Sequence, residues 1–167
     1  DLNLAAFANE TASESPAPGG GSISAYVGAL GISLGTMVAN LSAHKPGAKW
    51  EDQWEKFSEQ AESGQKLKDQ LVHLVDEDTH AFNKIMDAFR LPKGSEEEKA
   101  MRLAAIEEAS KYAIKVPFMV MEKSLESMAV IKAMAEYGNP NSVSDAGVGA
   151  LCARTAVMGA YLNVKIN

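Results

Sequence analysis

A single cysteine, Cys152, stands in 167 residues. No disulfide can brace the chain from within, and such sparse usage fits a reducing, cytoplasmic setting. Basic charge is short as well: 16 Lys and Arg against 22 Asp and Glu leave a net −6. An extended nucleic-acid partner is thereby excluded, since phosphate neutralisation needs a cationic face. Aromatic residues make up 7%, and no segment alternates apolar and polar residues with period two, so sheet has little support. No internal repeat is present. What remains is a chain 46% hydrophobic, dominated by Ala, Leu, Met and Val, long enough to bury one helical core.

Charge is missing altogether from Gly19 to Ala43. A run of that length could cross a bilayer, and it holds Gly31-x-x-x-Gly35, a spacing that packs membrane helices closely. Against this, it is interspersed with Ser22, Ser24, Ser33, Thr36, Asn40 and Ser42 and lacks flanking Lys/Arg clusters. Nor does it have the basic leader of a secretory signal. A buried helix in a bundle or dimer is the better account, and no membrane partner is expected.

Residues 2–10 read as a short amphipathic helix, and Ser15 to Ser22 as a Pro/Gly loop, with Ser22 capping the uncharged helix that runs to about Ala43. Lys45-Pro46-Gly47 closes it. From Trp50 to Phe89 the apolar spacing is helical: Leu71, Val75, Asp78, Phe82, Ile85 and Phe89 fall in steps of four and three. Trp50 and Trp54 read as packing residues. Ser95 with Glu98 marks a capped helix start, Pro117 is expected to kink or end that helix, and a further stretch reaches Tyr137. Ser144-Asp145 opens a last helix through Tyr161. The fold class is all-α, an up-and-down bundle of long helices. Small-residue faces at Gly28–Ala39 and Gly147–Ala160 suggest close packing and a homo-oligomeric contact.

Asp78 occupies a stripe position where an apolar residue is expected. It is either a buried carboxylate tied to a neighbouring helix cap or Arg, or a general acid/base in a partly desolvated site. Asp76 and Glu77 point elsewhere and read as solvated. Gly19, Gly20 and Gly21 before a helix start suit a polar or anionic ligand lying against backbone, or simply a turn. No phosphate-loop lysine follows them. Glu77-x-x-His80 has the spacing of di-iron bundles, but His44 and His73 have no Glu three residues before them, so no metal is expected. Cys152 reads as a small core residue. Asn139, Ser144 and Asp145 cluster at a helix entrance, where capping or recognition of a polar heterocycle would both use them.

Taken in order, Ser13-Glu-Ser-Pro-Ala-Pro-Gly-Gly-Gly-Ser22, Met37-Val-Ala-Asn40, Asp78-Thr-His-Ala-Phe82, Arg90-Leu-Pro-Lys93, Gly138-Asn-Pro-Asn-Ser-Val-Ser-Asp145 and Asn163-Val-Lys-Ile-Asn167 span nearly the whole chain. In these segments the sequence resembles the cyclodeaminase family. That family is seen as the C-terminal domain of formimidoyltransferase–cyclodeaminases and as stand-alone methenyltetrahydrofolate cyclohydrolases. The resemblance implies one helical domain, 1–167, that dimerises and binds a tetrahydrofolate derivative near the subunit interface. It also implies a fused or partner formimidoyltransferase. Family members usually continue past the Asn-Val-x-Ile-Asn motif into another helix, so a C-terminal helix is expected beyond Asn167.

The implied reaction converts 5-formimidoyltetrahydrofolate to 5,10-methenyltetrahydrofolate and ammonia, with no cofactor beyond the folate itself. Asp78 falls on the aspartate that would shuttle the proton. Glycines 19–21 and Ser22 would let backbone approach the folate, and Asn139, Ser144 and Asp145 would read its polar edge. Lys45, Lys49, Arg90 and Lys93 are candidates for a glutamate tail, polyglutamylated or not. Cyclohydrolysis of the methenyl compound to 10-formyltetrahydrofolate is the close rival, and a non-catalytic folate-binding or scaffolding dimer is the third reading.

Overall fold

The computed structural model describes residues 2–44 and 53–167. Five α-helices follow one another: α1 (Leu4–Thr11), α2 (Gly20–Ala43), α3 (Trp54–Arg90), α4 (Glu96–Tyr137) and α5 (Val143–Ile166). Among the described residues there is no strand, as the all-α expectation requires.

α2 packs against α3, α4 and α5, while α4 also packs on α3 and on α5. Contacts at α2 glycines set the directions. Gly21 meets Asp78 and Gly28 meets Leu71, so α3 runs antiparallel to α2. Gly20 meets Asn163, Gly28 meets Ala156 and Gly31 meets Cys152, so α5 is antiparallel too. Gly28 against Ser124 and Gly35 against Ile131 make α4 parallel to it. The result is an up-down-up-down bundle, with α1 laid across by a Phe7–Tyr26 ring contact at 5.7 Å.

The uncharged helix is the centre of this bundle. Its most apolar stretch is 61% buried within the chain. The hydroxyls of Ser24, Ser33, Thr36 and Ser42 donate to the carbonyls four residues back, at 2.7–2.9 Å. Polar side chains are thus tolerated in a core of Ala25, Ile32, Leu71, Val120 and Ile131. The small-residue faces expected at a subunit contact meet each other here. A methyl at Gly31 would lie 2.9 Å from the Gly149 carbonyl oxygen, so glycine brings α2 and α5 together within one chain.

Three expectations change. Pro117 neither ends nor divides its helix; α4 runs unbroken for 42 residues from a Ser95–Glu98 capping box. Proline has no N–H to give the carbonyl of Ala113 four residues back, and the Asn167 side chain supplies that bond instead, Nδ2 to oxygen at 2.8 Å. α5 starts at Val143, after a 3-10 turn at Pro140–Ser142, and continues past Tyr161 to Ile166. Trp54 is 54% exposed and packs little, whereas Phe57 and Ala61 on the same stripe are buried. Trp50 lies outside the described residues.

Candidate functional site

The first turn of α2 needs partners for its free N–H groups. Its N-cap is Gly19, which has no side chain to offer, and Ser22 stands inside the helix at its third position rather than at the cap expected of it. Asp78 reaches across from α3 to do the capping. Its Oδ2 accepts the Ser22 N–H at 2.8 Å and the Ser22 hydroxyl at 2.8 Å. A carboxylate at the positive end of a helix is favoured electrostatically as well as by these bonds. The tied-carboxylate reading of Asp78 is therefore realised, yet only for one oxygen. Oδ1 receives no hydrogen bond from the described residues and lies against Gly21, where a β-carbon would collide with the carboxylate.

Around Asp78 is a cavity of about 220 Å3, bounded by Gly19, Gly20 and Gly21 of the loop and α2, by Ala81 and Phe82 of α3, by Ala113 of α4, by Asn163 of α5 and by Asn167, which caps that helix. Every helix of the four-helix bundle thus contributes a wall. Asp78 is the one charged side chain among these residues. Asn163 donates from Nδ2 to the Gly159 carbonyl at 2.9 Å, as Asn167 does to Ala113. The gap left by Pro117 is what Asn167 fills, so a proline about one turn from the cavity fixes one of its walls.

Glu77, beside Asp78, is not the solvated residue expected. It accepts a hydrogen bond from the Tyr112 hydroxyl of α4 and pairs with His80 at 3.3 Å. Tyr112 first, then His80, hold its carboxyl below the ordinary carboxylate value, and the same bond raises the Tyr112 hydroxyl above its own. Lys84 stands over the Tyr112 ring at 4.1 Å. This cluster clamps α3 to α4 one residue from Asp78.

A family model described as formiminotransferase-cyclodeaminase matches residues 3–167. The chain belongs to that family. Methenyltetrahydrofolate cyclohydrolase of Methylorubrum extorquens is 38% identical over 161 residues, covering 96% of this chain and 76% of that protein. Formimidoyltransferase-cyclodeaminase of Gallus gallus is 37% identical over 164 residues, covering 98% of this chain but 30% of that protein. The crystal structure of formiminotetrahydrofolate cyclodeaminase from Thermotoga maritima aligns with a TM-score of 0.84 at 30% identity, over 99% of this chain and 77% of that one. Membership places the chain among enzymes of folate one-carbon chemistry, cyclodeaminases and cyclohydrolases.

Of the residues the sequence pointed to in this family member, Gly19, Gly20, Gly21, Ser22 and Asp78 come together. Among the described residues, the others do not join them within the chain. Asn139 is buried at the opposite end of α2, its N–H donated to Ser42 Oγ at 2.8 Å and its side chain accepting from Asn141 N–H. Ser22 and Ser42 are twenty residues apart on one helix, about 30 Å. Asn139 lines a separate cavity of about 710 Å3 with Thr36, Asn40, His44 and Gln65. Ser144 is exposed and Asp145 half-buried in the first turn of α5, at that same far end. Arg90 pairs with Asp87 at 3.1 Å, twelve residues or about 18 Å along α3 from Asp78, and Lys93 lies beyond it, exposed. Lys45 and Lys49 lie outside the described residues. Asn163, Asn167, Ala113 and Phe82 were given no site role in the sequence reading. The signal for three of them was there, since Asn163–Asn167 and Asp78–Phe82 are among the segments that carry the resemblance.

Proposed function

We propose that the chain is a formimidoyltetrahydrofolate cyclodeaminase with Asp78 as its proton shuttle. One observation carries the reading: the Asp78 carboxylate is anchored through one oxygen to Ser22, while the other is unengaged in a small cavity with no opposing cation among its lining residues. An anchored carboxylate with a free oxygen can take a proton and return it without losing its position.

In the reaction, N10 of 5-formimidoyltetrahydrofolate attacks the carbon of the formimidoyl group, whose imine nitrogen is protonated, forming the N10–C bond. Asp78 takes the N10 proton and passes it to the former imine nitrogen. That nitrogen then leaves as ammonia as its bond to carbon breaks, and the N5 lone pair completes the methenyl cation. An ionised Asp78 also stabilises the positive charge spread over N5, carbon and N10. Proton transfer of this kind is worth about 100- to 10,000-fold in rate. A cavity of about 220 Å3 is smaller than the ~300–1,000 Å3 typical of whole-ligand pockets. The pterin end with its one-carbon unit enters it, and the aminobenzoyl-glutamate part lies outside, where a second copy of the chain would meet it in a dimer.

Cyclohydrolysis of the methenyl compound is the second reading, favoured by the 38% identity to the Methylorubrum extorquens protein over most of both chains. The same carboxylate would then take a proton from water attacking the same carbon. Supplying 5-formimidoyltetrahydrofolate and, separately, 5,10-methenyltetrahydrofolate decides between them. Formation of the methenyl chromophore with stoichiometric ammonia is the expected result. Accelerated methenyl decay with no ammonia from the formimidoyl compound would replace it with the hydrolase.

A further inference from the structure

We propose that Asn163 is a specificity-determining residue whose side-chain oxygen accepts a hydrogen bond from the departing nitrogen of the one-carbon unit, selecting an imine N–H over a carbonyl oxygen. The inference rests on the cyclodeaminase reading and adds to it a residue that chooses the substrate.

The orientation of the Asn163 amide is settled by its partner. Its nitrogen end bonds the Gly159 carbonyl at 2.9 Å, and a carbonyl can only accept. The oxygen end is therefore the other one, and Oδ1 receives no bond from the described residues. A β-carbon built on Gly20 would lie 3.3 Å from Asn163 Nδ2 and 3.6 Å from Oδ1. At the next residue, Gly21, the approach is much closer and the nearest atom is Asp78 Oδ1. Two consecutive glycines thus face Asn163 and Asp78, each of which keeps an unengaged side-chain oxygen, and all four residues line one cavity.

A protonated formimidoyl group ends in a nitrogen with two N–H bonds, one for each acceptor. A formyl group at the same place ends in an oxygen with none, set against two lone-pair donors. The first-turn N–H groups of α2 are the competing donors for such an oxygen, so the preference is a measurable ratio. A site built to bond an N–H discriminates strongly against an analogue that lacks it.

The two ligands differ only in that atom: 5-formimidoyl- and 5-formyltetrahydrofolate. Calorimetric titration of both as their 10-oxa analogues, which have no N10 to close the ring and so leave Asp78 in place, gives the ratio of their dissociation constants with Asn163 present and with Asn163→Leu. Leucine keeps the shape, and Gly159 keeps its helix bond from the Asn163 backbone N–H. The expected ratio favours the formimidoyl compound by about 10-fold or more with asparagine and falls about 10-fold with leucine. Asn163→Ser, whose hydroxyl can return to Gly159, shows the same direction and guards against a leucine variant that fails to fold. A ratio unchanged by either substitution, or no binding by the Asn163 form, overturns the proposal. Ammonia release by the unsubstituted chain is read separately, so a failed cyclodeaminase reading is distinguishable from a failed role for Asn163.

Discussion

Ser22 and Ser42 stand near the two ends of the same helix, and each residue is 0–1% exposed. At the far end, Ser42 gives its proton to Val38 and receives the N–H of Asn139, joining one neutral backbone to another. At the near end, Ser22 gives both its hydroxyl and its N–H to a carboxylate from α3, and that carboxylate keeps one oxygen unengaged. The first arrangement satisfies its polar groups. The second leaves a charged group fixed but incomplete in a cavity, which is the condition for proton transfer. Polar burial at a helix end is structural when it closes and chemical when it stays open.

Substitutions at the two ends test that contrast. With Asp78 itself kept, the largest effect is expected from Gly21→Ala, whose methyl collides with the Asp78 carboxylate. Overpacking costs about 2 kcal/mol, and a displaced shuttle lowers turnover about 100-fold; urea unfolding and the ammonia assay measure the two. Ser22→Ala removes one of two bonds to Asp78, with turnover down about 10-fold and stability down about 1 kcal/mol. Ser42→Ala strands the buried Asn139 N–H and costs about 2 kcal/mol, with turnover unchanged. A loss of turnover there would bring the far end into the site and break the contrast.

The smallest effect belongs to the clamp beside Asp78. Tyr112→Phe removes the hydroxyl that lowers Glu77, at a cost of about 1 kcal/mol given its partial exposure. A lowered carboxyl stabilises fully above its ordinary value of 4.5 and loses that as pH falls through the lower folded value. A raised phenol stabilises fully below its ordinary value of 10.0 and loses that as pH rises through the higher folded value. The stability gap between the unsubstituted chain and Tyr112→Phe is therefore flat between those limits and closes outside them. Unfolding midpoints across pH check it.

Asp78 was legible because one charged residue interrupts an apolar stripe of period 3.6, and the bundle because that period is so regular around it. The glycine loop was legible for the same kind of reason, three residues that permit close approach before a helix. The place of Asn163 and Asn167 in the site was not, because only the antiparallel return of α5 brings them to Gly20 and Ala113. Pro117 was expected to kink or end its helix, and it does not end it: its cost is one lost bond, and a side chain fifty residues downstream replaces it. Asn139, Ser144 and Asp145 looked like ligand groups, and the chain places them at the opposite end of α2 from Asp78. Chemical type was readable there, but position along the bundle was not.

The most direct measurement is the turnover of 5-formimidoyltetrahydrofolate by Asp78→Asn, set against its folate affinity and thermal midpoint. Asparagine can still accept from Ser22 but cannot shuttle a proton, so turnover should fall about 1,000-fold while binding and folding persist. Near-normal turnover in a folded, folate-binding Asp78→Asn chain would contradict the proton shuttle at the centre of this account.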